Sequence, residues 1–347
     1  MAYATAESDT DNDIVLKLED VSVSFDEGEA VVLDGVDFSV RRGETLGVVG
    51  ESGSGKSMFA SSLLDAVVEP GQVSGKVTYY PKDGDPVVVT DKSEEELKST
   101  VRWSELTFVV QGAQSAFNPT MAIKDHFTET FDAHDVPHRE GLERAVEVMQ
   151  DLYLNPEQVL NSHPHELSGG MKQRALIALS VVLDPEVLIL DEPTASLDLL
   201  MQRAIISLLQ DIKEKYELTM VFVTHNLNLI SVIADRLGVM YAFEFVELGA
   251  TDEILKNATH PYTRALLNSV PNLSGDVEDM SGIPGRAPNP KDIPSGCRYS
   301  PRCPVGDEQC ATVAPDLEGA GGDHTAACHY PERSRADIPL HFGLEEE

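Results

Sequence analysis

The segment TLGVVGESGSGKSMFASSLL, residues 45–64, decides the fold of this chain. It begins as a buried apolar strand, continues as a glycine-rich turn and ends as an apolar-periodic helix. The turn fits the pattern G-x-x-x-x-G-K-[ST], in which glycines let successive backbone N–H groups point at an anion and the following helix adds its positive end. Lys56 is expected to meet the β- and γ-phosphates of a nucleotide, and the Ser57 hydroxyl to ligate Mg²⁺. The predicted phosphate loop comprises Gly50, Glu51, Ser52, Gly53, Ser54, Gly55, Lys56 and Ser57.

A second apolar run, VLILDEP at residues 187–193, ends in two acids. Parallel α/β sheets place ligands at the carboxyl ends of their strands, so both acids are expected beside the phosphate loop. Asp191 is suited to Mg²⁺, directly or through water. Glu192 is suited to act as the general base that polarises the water attacking the γ-phosphate. The alternative is that the two acids only cap the following turn.

Strands and helices alternate along most of the chain, which predicts a mostly parallel sheet covered by helices. Residues 1–13 are predicted to be a disordered acidic leader, and residues 14–255 one α/β domain with a helical insertion over about residues 112–170. In residues 256–347, Pro and Gly become dense, the periodicity fades and all four cysteines occur. We expect this last part to be an irregular C-terminal extension.

The composition is strongly acidic, with 26 Lys and Arg against 59 Asp and Glu and a formal charge of −33. Binding to nucleic acid is not expected, because that function needs clustered cations. Concentrated salt screens such charges within a few Å, so the surface predicts adaptation to a saline cytosol, as in haloarchaea; an acidic mesophilic protein is the alternative. No apolar run reaches the ~20 residues of a membrane span and the N-terminus is not signal-like, so a cytosolic protein is expected.

Other short motifs occur in a fixed order around the phosphate loop and Asp191-Glu192. Gln111 follows the strand LTFVV, and the motifs LSGGM, SLD and TH occupy residues 167–171, 196–198 and 224–225. Over about residues 14–255 the chain therefore resembles the ATPases of ABC transporters. The resemblance implies an α/β fold with a P-loop RecA-like core, an antiparallel β subdomain and an inserted helical subdomain.

The resemblance also implies catalytic roles, and with them ATP and Mg²⁺ as the bound groups. Gln111 would sense Mg²⁺ and the attacking water, and His225 would bond the γ-phosphate. With the base Glu192 and the phosphate-binding Lys56, these residues would make up the catalytic set. Taken alone, a histidine at a strand end is more often a structural residue.

A head-to-tail dimer follows from the same resemblance. Each ATP would lie between the phosphate loop of one subunit and Ser168, Gly169 and Gly170 of the other, with Asp198 at the dimer seam. LSGGM suits this role because it opens a helix, whose first amides form a second phosphate cradle.

Phe25 lies 25 residues before Gly50, where the resemblance places an aromatic residue that stacks on adenine. The alternative is that Phe25 packs in the core as a strand aromatic. Tyr79 or Tyr80 would then be the substitutes for the adenine-stacking role.

The C-terminal extension narrows the resemblance to the ATPases of oligopeptide and dipeptide importers. The similar motifs are HPYTRALL at residues 260–267, IPG at 283–285 and PSGCRYSPRCP at 294–304. They imply a subunit on the cytoplasmic face of the membrane, partnered by a second ABC ATPase (the same chain or a paralogue), two transmembrane permeases and an extracytoplasmic solute-binding protein. Sugars or nickel chelates are alternative cargoes, and a soluble ABC ATPase of repair or translation is a weaker alternative. The acids in AFEFVE, residues 242–247, depart from the family pattern and are interpreted as acidic drift.

All four cysteines lie in a Pro-rich stretch of 32 residues, which is too short to bury a large core. A local cross-link, covalent or through a metal, is therefore expected to stabilise it. A [4Fe–4S] cluster is favoured because it tolerates irregular spacing and because some relatives of the peptide importers are similar in having one. Zinc is an alternative, with His324 and His329 as substitute ligands, although its usual cysteine pairs are closer together. Free or disulfide-bonded thiols are the third reading. The candidate ligands are Cys297, Cys303, Cys310 and Cys328.

Overall fold

The structure is a computed structural model that describes residues 13–112, 116–195, 197–270 and 282–341. Nearly all of the predicted leader thus lies outside the described residues. Within those ranges the strands are β1 (Ile14–Phe25), β2 (Ala30–Arg41), β3 (Thr45–Val49), β4 (Gln72–Tyr79), β5 (Val87–Val88), β6 (Leu106–Val109), β7 (Val187–Asp191), β8 (Thr219–Val223), β9 (Arg236–Tyr241), β10 (Glu244–Ala250), β11 (Glu318–Gly321) and β12 (His324–Ala326).

The helices of the described ranges connect these strands on both faces of the main sheet. They are α1 (Lys56–Ser62), α2 (Glu94–Thr100), α3 (Ile123–Ala133), α4 (His138–Asp151), α5 (Pro156–Asn161), α6 (Gly169–Val181), α7 (Leu199–Tyr216), α8 (Leu227–Ile233), α9 (Thr251–Asn257), α10 (Pro261–Asn268), α11 (Glu308–Thr312) and α12 (Pro331–Asp337). No helix in this part of the chain is long and apolar enough to cross a membrane.

The described strands form two sheets. The smaller is antiparallel, in the order β2-β1-β4-β5. The larger has the order β11-β12-β10-β9-β3-β8-β7-β6, and its strands from β9 to β6 are parallel. The predicted mixed α/β fold with an antiparallel β subdomain is confirmed.

The parallel strands are covered on both faces, which explains their unbroken apolar sequences. Every residue of β3, β7 and β8 is buried. On one face α1 and the antiparallel sheet pack together through Phe38, Phe59 and Phe245, whose ring centroids lie 5.1–6.0 Å apart. On the other face lie the remaining long helices and the C-terminal chain.

The described residues between β6 and β7 are mostly helical (α3 to α6), as the resemblance implies. Phe127 and Phe131 of α3 are fully buried, and Gly141 of α4 lies so close to the Phe131 ring that a Cβ there would come within 2.6 Å of it. α6 is buried nearly all round and packs against β6. The inserted helices are thereby joined to the main sheet.

The C-terminal extension is more regular than the sequence predicts. β12 pairs antiparallel with β10, and β11 pairs with β12, so the extension lengthens the main sheet. The expectation of an irregular extension is wrong here. The strand β11 has the sequence EGAG, which has no apolar alternation, so it acquires strand structure only from its neighbour.

Two acids interpreted above as acidic drift, Glu244 and Glu247, instead anchor this extension. Glu244 lies 3.1 Å from Arg298 Nε, and its burial raises its pKa to about 7. Glu247 is fully buried; it accepts a hydrogen bond from the His260 N–H at 3.0 Å and lies 2.7 Å from His324 Nε2. The drift interpretation is wrong, because a buried carboxylate is tolerated only where such partners satisfy it.

Candidate nucleotide site

Four adjacent parallel strands end at one edge of the main sheet, and each is followed by a residue of the predicted site. The pairing Val48↔Val223, Asp191↔Val223 and Val109↔Leu190 aligns these ends. The phosphate loop follows β3, Asp191 closes β7, His225 follows β8 and Gln111 follows β6. Residues far apart in the sequence therefore meet where a parallel sheet places its ligands.

The phosphate loop is packed tightly between β2 and β9. A Cβ on Gly50 would lie 2.2 Å from the Met240 carbonyl oxygen, and one on Gly55 would lie 2.6 Å from the Val32 carbonyl oxygen. Gly55 also has a φ of +105°, in the left-handed region that favours glycine. These two positions thus require glycine for both space and conformation.

Lys56 begins α1 and is buried. Its Nζ donates hydrogen bonds to the carbonyl oxygens of Gly50 at 2.8 Å and Glu51 at 2.9 Å. Burial lowers its pKa, while the carboxylates of Glu192, Asp191 and Glu51 oppose that shift. The ammonium is thus held inside the loop, where it can meet a phosphate.

Asp191 has the environment of a metal ligand. Its side chain is buried, and its Oδ1 has no hydrogen-bond partner among the described residues. Burial raises its pKa; the Ser57 hydroxyl and Lys56 oppose the rise, and Glu192 adds to it. An unsatisfied carboxylate oxygen beside a serine hydroxyl is a donor set of the kind that Mg²⁺ prefers, so these residues fit the metal.

Glu192 and His225 form a hydrogen-bonded pair. Glu192 Oε1 lies 2.6 Å from His225 Nδ1 and accepts the backbone N–H of His225 at 3.1 Å. Glu192 has a left-handed φ of 49°, and its N–H donates to the Val223 carbonyl at 2.9 Å, which fixes the turn after β7. The strained backbone and the histidine together aim this carboxylate at the edge where the phosphate loop lies.

The structure also gives the positions of Gln111, Phe117 and Phe25. Gln111 is exposed at the end of β6. Phe117, which follows Gln111 by six residues, is buried, with its ring centroid 5.1 Å from that of His126, so it is a core residue. Phe25 ends β1 and is partly exposed, with its ring against Gly71.

The LSGGM segment forms a separate helix N-terminus. Ser168 is the N-cap of α6, and its Oγ accepts the Met171 N–H at 3.3 Å. No hydrogen bond joins Ser168, Gly169 or Gly170 to the phosphate loop within the described ranges. Asp198 caps α7 by accepting the Leu200 and Met201 N–H groups, each at 3.0 Å.

Sequence reasoning missed two residues of the C-terminal extension whose side chains bond to the phosphate loop. Arg302 forms an ion pair with Glu51, and the Tyr262 hydroxyl accepts the Glu51 N–H. Both lie in tail motifs noted above only for their resemblance, HPYTRALL and PSGCRYSPRCP. No local pattern could have placed them at this loop, since the Arg302 contact spans 251 residues.

The four cysteines are free and line one small cavity, together with His260, Tyr299 and His329. Burial raises the pKa of Cys297 to about 11 and that of Cys328 to about 12. Across the described residues, no group of three or more His, Cys, Asp or Glu side chains has the arrangement of a metal site.

Comparison with known proteins agrees with this geometry. The family model described as ABC transporter matches residues 33–195, and that described as oligopeptide/dipeptide transporter, C-terminal region, matches residues 246–310. The dipeptide transport ATP-binding protein DppD of Caldanaerobacter subterraneus subsp. tengcongensis is 41% identical, over 93% of this chain and 98% of the relative. The oligopeptide transport ATP-binding protein AppD of Bacillus subtilis is 35% identical, over 88% and 92%. A solved dimeric structure of a bacterial ABC transporter cassette has a TM-score of 0.58 and 26% identity, over 68% of this chain and 98% of that one.

Proposed function

This chain belongs to the ATP-binding subunits of ABC transporters, in the oligopeptide and dipeptide branch, and we propose that it hydrolyses ATP at the edge formed by β3, β8, β7 and β6 to drive peptide import. The convergence of Lys56, Asp191, Glu192 and His225 at that edge carries the proposal. The similarity to dipeptide and oligopeptide transport proteins favours peptides over sugars or nickel chelates as the cargo.

Each residue has a distinct part in this reaction. Residues 50–57 bind the phosphates through backbone N–H groups, and Lys56 neutralises the β- and γ-phosphates. Ser57 and Asp191, with Gln111 on the next strand, would hold Mg²⁺, which when bound offsets the negative charge of the phosphates. The roles assigned to Gln111 and, at adenine, to Phe25 rest on the resemblance.

The chemical step depends on Glu192. Its carboxylate polarises the water that attacks the γ-phosphate in line. His225 holds that carboxylate through two hydrogen bonds, at 2.6 and 3.1 Å. The further role of His225, a bond to the γ-phosphate, rests on the resemblance. A base that is already oriented needs no reorganisation when the nucleotide binds.

We also propose the head-to-tail dimer, in which Ser168, Gly169 and Gly170 of one subunit cover the ATP of the other. Among the described residues, the N-terminus of α6 makes no hydrogen bond to the phosphate loop of its own chain. This supports a role for it at the nucleotide of a partner subunit. Leu199 and Leu200, next to the proposed seam residue Asp198, are 72% and 79% exposed, as expected for apolar side chains that a partner covers.

The dimer would act at the cytoplasmic face of a membrane on two permease subunits that receive solute from an extracytoplasmic binding protein. The segment after Gln111 is the proposed contact, although residues 113–115 lie outside the described ranges. A photocrosslinker at the exposed Asn118 should capture a permease, whereas one at Glu217, at the opposite edge of the sheet, should not. Capture from Glu217 alone would contradict this contact.

The function is tested with the chain and its permeases in liposomes. ATP trapped inside the liposomes, on the same side as the ATPase subunits, should drive uptake of labelled dipeptide or oligopeptide from outside, where the solute-binding protein is added. Lys56→Ala should abolish this uptake. Uptake of a sugar or nickel chelate in place of peptide would overturn the cargo, and ATP hydrolysis without any uptake would favour the soluble ATPase alternative.

For the cysteines we propose a [4Fe–4S] cluster with a structural or sensing role, with Zn²⁺ as the alternative. The four free thiols around one cavity support this; their arrangement does not match a metal site, so side chains would have to reorient. Anaerobic purification should yield a brown protein with about four irons per chain. Two results together would eliminate a structural metal site here: a colourless, iron-free protein from anaerobic purification, and a variant that keeps its fold with all four cysteines changed to Ser.

We further propose that the acidic surface adapts the chain to a saline, haloarchaeal-type cytosol. The charge of −33 supports this, because self-repulsion of that size is relieved when the Debye length falls to ~3 Å at molar salt.

A further inference from the structure

Glu51, the second residue of the phosphate loop, is held by a buried arginine of the C-terminal extension. Arg302 is 4% exposed, and its Nη1 and Nη2 donate to the two carboxylate oxygens of Glu51 at 2.7 and 3.1 Å. A guanidinium that uses both nitrogens in this way fixes the orientation of a carboxylate as well as its position.

Arg302 is itself held rigidly. Its Nε donates to the Pro284 carbonyl at 2.6 Å and its Nη2 to the Ile283 carbonyl at 3.2 Å, while Nη1 lies 3.3 Å from the Tyr241 hydroxyl. The IPG and PSGCRYSPRCP motifs thus meet at this guanidinium. An arginine anchored at so many points can act as a fixed support for the loop.

The backbone of Glu51 is held as well. Its N–H donates to the Tyr262 hydroxyl at 2.8 Å, and its carbonyl accepts from Lys56 Nζ at 2.9 Å. Tyr262 is fully buried, and its ring centroid lies 4.5 Å from that of Tyr241. The Glu51 carbonyl also accepts the Ser54 N–H at 3.2 Å. Two of the four groups that hold Glu51, Arg302 and Tyr262, therefore belong to the extension rather than to the α/β domain.

A carboxylate in this position needs a counter-charge for a physical reason. The loop collects backbone N–H groups to bind phosphate anions, and an unpaired negative side chain beside them would repel the same anions. Arg302 neutralises Glu51 and holds its side chain in one place.

We propose that Arg302 is a positioning residue for the phosphate loop, acting through Glu51, so that the C-terminal extension sets the affinity of the ATP site. This inference rests on the proposed ATP-binding function. Nothing in it requires a metal in the cysteine cavity.

The test is the affinity of the full-length chain for the fluorescent nucleotide mant-ATP with Mg²⁺, measured alongside the melting temperature. Arg302→Gln should raise Kd about tenfold, which corresponds to ~1.4 kcal/mol, and kcat at saturating ATP should change much less than KM. Arg264→Gln is the matched control, because Arg264 is also buried in the extension but, among the described residues, its hydrogen bonds go to the Ala258 and Ile338 carbonyls and not to the phosphate loop. It should lower the melting temperature and leave Kd unchanged.

Rescue separates positioning from a merely structural role. Adding Glu51→Gln to Arg302→Gln removes the unpaired carboxylate and should restore most of the lost affinity, and Arg302→Lys should lie between wild type and Arg302→Gln. Strictly additive effects of the two Gln changes, or an unchanged Kd in Arg302→Gln, would overturn the proposal.

If Arg302→Gln does not fold, Tyr262→Phe decides. It removes one hydroxyl, and should speed hydrogen exchange at the Glu51 amide in the nucleotide-free chain and raise Kd; no change in either would refute the role of the extension. A wild-type chain that fails to bind mant-ATP would instead contradict the proposed function.

Discussion

The substitution Glu192→Gln tests the assignment of the general base most directly. Gln keeps an oxygen where Glu192 Oε1 accepts the His225 backbone N–H at 3.1 Å and faces His225 Nδ1 at 2.6 Å. Exchanging two charge-assisted bonds for neutral ones lowers the free energy of unfolding by about 1–2 kcal/mol, which leaves the fold and ATP binding intact. Loss of a general base lowers kcat by a factor of about 10²–10⁴, which corresponds to ~2.7–5.4 kcal/mol of transition-state stabilisation.

The assay is single-turnover hydrolysis of ATP, with mant-ATP binding and dimerisation measured on the same preparations. The variant should bind ATP like the wild type, fail to turn over and accumulate as ATP-bound dimers. Glu44→Gln is a suitable control, because Glu44 is an equally buried acid that pairs with Arg236 at the opposite end of β3. It should lower stability and leave turnover unchanged. A Glu192→Gln enzyme with turnover close to wild type would refute the base assignment.

Three further predictions concern binding, pH and salt. Lys56→Ala should weaken mant-ATP binding itself, unlike Glu192→Gln, because it removes the cation that faces the phosphates; equal affinity would contradict its role. Burial lowers the pKa of His260 to about 3, below the ~6.5 of a histidine in the unfolded chain. As pH falls below ~6.5 the unfolded chain binds a proton at His260 that the folded chain does not, so stability is lost. The His260 contribution to the free energy of unfolding drops by about 2 kcal/mol between pH 7 and 5. Glu244 has the opposite effect, because its raised pKa favours the folded state as pH falls. This effect cancels when the free energy of unfolding in urea is compared between the wild type and His260→Asn. A difference between the two proteins that does not vary with pH would refute the lowered pKa of His260. Finally, the melting temperature should rise between low salt and molar KCl, and an unchanged value would count against the halophilic interpretation.

The sequence by itself determined the chemistry of the site and the class of the fold. Gly50–Ser57 is a contiguous pattern whose meaning depends only on local backbone geometry, and VLILDEP places two acids at the end of a buried strand. Alternation of strands and helices then indicates a parallel sheet, whose strand ends must share an edge. Local patterns of this kind can be read without knowing any long-range contact.

Only the tertiary structure decided how the C-terminal extension is used. From the sequence, Glu244 and Glu247 were interpreted as acidic drift, and Arg302 was noted only as part of a motif that carries the resemblance to peptide importers. The structure pairs each of them with a residue of another segment. The pairings of β12 with β10 and of β11 with β12 were equally hidden, since a short strand such as β11, with the sequence EGAG, carries no periodic signal of its own. An ion pair or a strand pairing between distant segments depends on which surfaces the folded chain brings together, and single-sequence periodicity holds no record of that.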